Sequence, residues 1–199
     1  MDDLQKEFGG WSDPKLSPRG ISLAKKTAQQ LKKQKVSFDI ILTSPLQRAS
    51  QSATIIASIL HTPIKEYIFL KERNTYGILG GVKKDLARRL YPELIRAYNA
   101  QEFIPGAERY EDFKNRVDTL LRELIYLPYK NILCITHGYL ITTIIEEFLG
   151  LTREDIQDGC ILVLRINNEK YEYVSSEGLS FKEGNQTYDS MRYTKFKSA

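Results

Sequence analysis

Apolar side chains recur along this chain with two different spacings, and the switches between them predict its elements. Ile21, Ala24, Ala28 and Leu31 follow Ser17-Pro18 at helical spacing, with Lys and Gln on the other face. Ser17 as N-cap and Pro18 at the first helical position mark the start, because the hydroxyl satisfies a free N–H and proline has none to lose. Residues 38–43 (FDIILT) are a short run rich in branched side chains, the pattern of a buried strand. Ser44-Pro45 repeats the helix-start signal, and Ala49, Ala53, Ile56 and Leu60 predict a second helix behind a tight turn. Residues 64–70 predict another strand, leading into a loop with Gly77, Gly80 and Gly81. A helix over 83–98, carrying Leu86, Leu90 and Leu94, is expected to break at Pro92. Pro105-Gly106 reads as a turn, and Phe113, Val117, Leu120 and Leu124 predict a longer helix ending near Pro128. Residues 131–136 (NILCIT) predict the second buried strand. His137-Gly138 follows, then a helix over 139–149 with Ile141, Ile144, Ile145 and Phe148, capped by Gly150. Residues 161–166 and 170–174 flank Asn167-Asn168 as a hairpin. The expected organisation is one domain over residues 1–175 and a polar tail over 176–199.

Strands alternating with helices predict an α/β layered domain with a mostly parallel sheet. Such a domain usually opens with a strand, yet nothing strand-like precedes the first helix. Composition narrows the function classes. At 199 residues with 42% hydrophobic and 27% charged residues, the chain buries a core of its own and is not a disordered protein. The net charge of +4 does not by itself imply a nucleic-acid partner. Lys25, Lys26, Lys32 and Lys33 read as a solvated helix face, and Arg192, Lys195 and Lys197 are too scattered for a nucleic-acid site. Two cysteines, Cys134 and Cys160, exclude a disulfide scaffold, and two histidines leave few metal ligands. No apolar run approaches the roughly 20 residues of a membrane helix. The opening MDDLQKEFGG lacks the basic start and apolar stretch of a signal peptide, so a cytoplasmic protein is expected.

In open α/β sheets, ligands bind beyond the carboxyl ends of the strands. Arg48 lies in the first turn of a helix that follows such an end, where free N–H groups and a guanidinium could together hold a phosphate. The competing reading is a surface ion pair, and an arginine there opposes the helix dipole. His137 also follows a strand and precedes a helix. It could donate to an oxyanion, move a proton or act as nucleophile, or it could be a structural histidine bonded to backbone. Gly138 beside it would let a ligand approach. Glu72 could be a general acid or a solvated loop residue. His61, at a helix end, reads as a surface residue.

Together these stretches resemble the histidine phosphatase superfamily, the phosphoglycerate-mutase-like proteins. FGGWSDPKLSPRG (8–20) resembles the segment after the family's nucleophile loop, and TSPLQRASQSA (43–53) its Ser-Pro-Leu-x-Arg-Ala motif. LKERNTYGILGG (70–81) resembles the stretch bearing its acidic residue, PGAERYEDFKNRV (105–117) its Pro-Gly-x-Glu segment with a later Arg, and CITHGYLI (134–141) its Thr-His-Gly motif. The resemblance implies a three-layer α/β/α sandwich with a mostly parallel mixed sheet. It also implies phosphoryl transfer through a phosphohistidine, with a phosphorylated small molecule as substrate and no metal or organic cofactor. Arg48 would hold the phosphoryl oxygens, His137 would stabilise the same charge opposite the nucleophile, and Glu72 would protonate the leaving oxygen. Gly9 and Gly10 match the loop over the substrate, Arg73 and Tyr76 lie beside the acid, and Gly138 belongs to the phosphate site. The family's Arg-His-Gly motif, with the nucleophilic histidine, does not occur in this sequence, and neither does the central strand that precedes it. The resemblance begins just after that motif's place, so Met1 is expected to be an internal methionine of a longer natural protein. The expectation is a phosphatase whose 199-residue form is inactive. The short stretch between Gly81 and Pro105 favours phosphatase over mutase. Mutase activity in a complete form and an inactive phosphate-binding protein remain the alternatives.

Overall fold

The computed structural model describes residues 6–167 and 170–182. Ser17 Oγ accepts the Gly20 N–H at 3.1 Å and Pro18 occupies the first turn, so α1 (Pro18–Lys33) starts where its capping residues predict. Gly20, not Ile21, joins Ala24, Ala28 and Leu31 on its buried side, and Ile21 is 38% exposed. Ala28 shares a buried cluster with Ala53 and Ala57 of α2 (Gln47–Leu60).

Three strands form the central sheet: β1 (Ile40–Thr43), β2 (Ile64–Glu66) and β3 (Ile132–Ile135). Their order is β2-β1-β3 and all are parallel, with Ile40 opposite Ile132 and Thr43 opposite Ile135. Alternation of side chains across the sheet builds two cores. Ile41 packs with Leu133, Ile135 and the alanine faces of α1 and α2. Ile40 and Leu42 pack on the other face with Phe113, Val117, Leu120 and Leu121 of α5 (Tyr110–Tyr126), helped by Leu140 and Ile144. Between these elements, a 3₁₀ turn over Ile68–Leu70 replaces the second half of the strand expected over 64–70. The break at Pro92 is present, dividing α3 (Lys84–Leu90) from α4 (Pro92–Asn99). Leu86 and Leu90 face outward, and Ala87 is the buried residue of α3. After β3, α6 (Gly138–Thr143) runs into a single π-helical turn, Ile144–Phe148.

Two corrections concern the strands. The hairpin is far longer than expected: β4 (Arg153–Asn167) pairs antiparallel with β5 (Lys170–Phe181) in a sheet of its own. Register shifts at three places break its two-residue alternation, which hid its length in the sequence. Ser176–Phe181 therefore belongs to β5 rather than to a polar tail. The remainder of that expected tail, from 183 onward, and the turn residue Asn168 lie outside the described residues. The second correction concerns β3. All four of its side chains are only half-buried, whereas those of β1 are fully buried, and β3 forms the end of its sheet.

A third cluster secures the opening segment. Phe8 is buried with Leu79, Ala87 and Ile104, and Phe8 N–H donates to the Val82 carbonyl at 3.0 Å. Gly77 makes this packing possible. Its φ is +49°, and a Cβ there would lie 2.2 Å from the Pro105 carbonyl oxygen.

Ile41→Ala should cost about 2–5 kcal/mol in urea unfolding, because Ile41 has no exposed surface and touches the interface of the sheet with α1 and α2. Ile68→Ala, at a residue 60% exposed, should stay within about 0.5 kcal/mol of the parent.

Candidate functional site

Parallel, in-register strands end at one level, so the turns after β1 and β3 meet. Ser44 N–H donates to the Ile135 carbonyl at 3.0 Å, and Ser44 Oγ stands 2.7 Å from His137 Nε2. Both side chains are buried. Ser44 is not the N-cap of α2, as Ser44-Pro45 suggests. Leu46 is, and it offers no side-chain acceptor. Asp13 supplies one from the opening segment, accepting the Gln47 N–H. This carboxylate suits the positive end of α2, and it takes one of the N–H groups expected to meet a phosphate.

The same segment engages Arg48. Its Nη1 donates to the Ser12 carbonyl at 2.8 Å and its Nη2 to the Gly10 carbonyl at 2.9 Å. A guanidinium in the first turn of a helix is thus offset by Asp13 and by two carbonyl dipoles. Gly10 has φ +66°, and a Cβ would approach Tyr76 Cδ2 to 3.3 Å and the Arg73 carbonyl to 3.5 Å, so this loop lies close against the Glu72 loop. Gly9 is buried beneath it. Tyr76 packs at a tilt against Phe8 and Tyr98, with ring centres 5.2 and 5.6 Å away.

Glu72 sits opposite. Its carboxylate accepts the Arg73 N–H at 2.9 Å and the Tyr139 N–H at 3.4 Å, which holds it beside Gly138 at the start of α6. A Cβ on Gly138 would meet no heavy atom within 4 Å, so the space it leaves is open. Arg73 turns to the rim, with its guanidinium 5.1 Å from the Tyr110 ring centre and 5.9 Å from that of Tyr139. The structure thus brings Gly10 to Arg48, Tyr76 to Gly10, and Glu72 to the turn after His137. Among the described residues, no hydrogen bond joins Arg48 and His137 directly.

Burial, with the positive charge of Arg48 and then of Arg116 nearby, pushes His137 down to about 3 from its ordinary 6.5. The imidazole is neutral at physiological pH. A neutral ring beside a guanidinium makes a recess rich in N–H donors, suited to an oxyanion.

Several supporting residues were not singled out from the sequence. Arg116 spends every donor on one job. Its Nε and Nη2 each donate to Glu108 at 2.9 Å, its Nη1 to the carbonyls of Phe69 and Lys71 at 2.8 Å, and its Nη2 also to that of Glu72 at 3.3 Å. Trp11 Nε1 donates to the Glu72 carbonyl at 2.6 Å, and Lys71 Nζ lies 3.6 Å from the Trp11 ring centre. These contacts fix the backbone on either side of Glu72. Arg116 lies within the Pro-Gly-x-Glu segment at 105–117, but no local spacing ties it to a loop more than forty residues earlier.

The profile of the histidine phosphatase superfamily (branch 1) matches residues 2–177. A phosphoglycerate mutase of Schizosaccharomyces pombe is 32% identical over 183 residues, covering 85% of this chain and 86% of its own length. PhoE of Bacillus subtilis, described as an uncharacterized phosphatase, is 30% identical over 174 residues, covering 85% and 84%. Among solved structures, the α-ribazole phosphatase of Shigella flexneri superposes with a TM-score of 0.73 at 24% identity, over 87% of this chain and 89% of that one. The phosphoglycerate mutase of Bacillus anthracis gives 0.72 at 20% identity, over 89% and 88%. The fold is that of the phosphoglycerate mutases, and the chain belongs to the histidine phosphatase superfamily.

Proposed function

We propose that this site takes the phosphoryl group of a phosphorylated small molecule, and that a complete form of the protein hydrolyses phosphomonoesters through a phosphohistidine. The observation that carries the reading is the meeting of Arg48, neutral His137 and Glu72 around the ends of β1 and β3. Phosphoryl transfer depends on positioning and charge neutralisation more than on covalent help. Arg48 would exchange its carbonyl partners for phosphoryl oxygens, His137 would donate to the same charge, and Glu72 would protonate the leaving oxygen. Gly9, Gly10 and Gly138 would give the ligand room, with Arg73 and Tyr76 along its far side.

The nucleophile is a separate matter. His137 is one of two histidines, and His61 caps the far end of α2, about 20 Å of helix away. His61 therefore does not stand where it could face His137 across a bound phosphoryl group. The half-covered apolar edge of β3, with β4 and β5 held in a separate sheet, supports a further strand there that carries Arg-His-Gly. Without it, the 199-residue chain binds phosphate and does not turn over. Two short helices, α3 and α4, fill the stretch between Gly81 and Pro105, which supports phosphatase over mutase.

For the 199-residue chain, millimolar inorganic phosphate should raise the unfolding temperature, and Arg48→Ala should abolish the shift. Enzymatic hydrolysis of a phosphomonoester by this chain would overturn the missing nucleophile, and a phosphate-blind unfolding temperature would overturn the binding site. In a form carrying the nucleophilic strand, Arg48→Ala and His137→Ala should each lower kcat by about a hundredfold or more. Glu72→Gln should be most harmful with poor leaving groups, and equal loss on activated esters would remove Glu72 as the acid.

The neutrality of His137 also has a signature in stability. Between pH 6.5 and about 3 the unfolded chain binds a proton that the folded site refuses. The resulting stability is complete above pH 6.5 and falls as pH drops. Urea unfolding from pH 7 to pH 5 should therefore weaken the parent more than His137→Gln, and equal slopes would contradict a buried neutral ring.

A further inference from the structure

The hydroxyl of Ser44 touches His137 in a place where proton bookkeeping has one answer. Ser44 has no exposed surface. Its Oγ accepts the Leu46 N–H at 3.3 Å and lies 2.7 Å from His137 Nε2. Two arrangements are conceivable. If Nε2 carried the proton and donated to Oγ, the serine's own proton would have no acceptor among the described residues, and a buried unmade donor is costly. If Oγ donates to a bare Nε2, every proton has a partner: one lone pair of Oγ takes the Leu46 N–H and its hydrogen goes to the ring. A neutral imidazole with a bare Nε2 carries its hydrogen on Nδ1. Nδ1 has no hydrogen bond among the described residues, so it remains the ring's one uncommitted donor.

We propose that Ser44 is the positioning residue for His137: its hydroxyl holds Nε2 as an acceptor and thereby fixes the Nδ1–H tautomer that donates to the bound anion. The inference deepens the phosphoryl-binding reading and rests on it for the identity of that anion, while the tautomer stands or falls alone. It also explains why a serine, the preferred N-cap residue, sits two residues ahead of the N-cap of α2. Its hydroxyl is committed to the neighbouring strand's turn.

The test is the two-bond ¹H–¹⁵N spectrum of ¹⁵N-histidine-labelled protein at pH 7, with His61→Asn to assign the two rings. In the parent chain, His137 should appear as a single Nδ1–H tautomer. Ser44→Ala should convert it to Nε2–H or to a mixture, and should weaken inorganic phosphate binding about tenfold, the scale of one hydrogen bond to a charged ligand. Ser44→Thr, which keeps a hydroxyl, should restore the tautomer. An Nε2–H signal in the parent would overturn the inference even if Ser44→Ala failed to fold. An unchanged tautomer in folded Ser44→Ala would overturn it as well. Loss of phosphate binding in the parent itself would instead count against the phosphoryl reading and leave the tautomer result intact.

Discussion

Ile40–Thr43 and Ile132–Ile135 run parallel, residue for residue in register, and both chains leave the sheet at the same height. Backbone hydrogen bonding between the strands fixes that height. Everything in the site depends on it. Ser44 and His137 are each the first or second residue past their strand, and a slip of one residue would turn every side chain of that strand to the other face. The sheet is held in place by both of its cores, alanines and Ile41 on one side, Phe113 and its leucine neighbours on the other. The core thus acts on the site at one remove, by setting where two turns begin.

The loops around these turns are tied by charge. Arg48 holds the carbonyls of Gly10 and Ser12, Asp13 caps α2, and Arg116 binds Glu108 and three carbonyls around Glu72. Burial, reinforced by the nearby guanidiniums of Arg48 and then Arg116, keeps the His137 imidazole neutral. For Arg48, an arriving anion would replace weaker carbonyl contacts with a charge-assisted pair.

Much of this was legible in the sequence where short-range rules decide. Ser17-Pro18 started α1, Pro92 divided two helices, and the apolar runs before Thr43 and Thr136 gave the two strands that matter. The same Ser-Pro rule failed at Ser44, because a tertiary contact to His137 claimed the hydroxyl. Ile21 shares the helical spacing of the core face but is exposed, and the buried residue beside it, Gly20, has no hydropathy to announce it. The hairpin was legible but its full length was not, because its bulges break the alternation on which strand recognition depends. Arg48, Glu72 and His137 could be singled out from strand ends and motifs. Their supports, Ser44, Trp11 and Arg116, act across 44 or more residues, and no local pattern announces such contacts.

The most direct measurement is a crystal structure of the 199-residue chain grown with orthovanadate. An oxyanion bound at the ends of β1 and β3, with Arg48 turned from the Gly10 and Ser12 carbonyls to its oxygens and His137 Nδ1 within hydrogen-bond distance, is the predicted result. Arg48 still bound to both carbonyls and no anion at His137, in crystals that hold vanadate elsewhere, would contradict a phosphoryl site built from these residues.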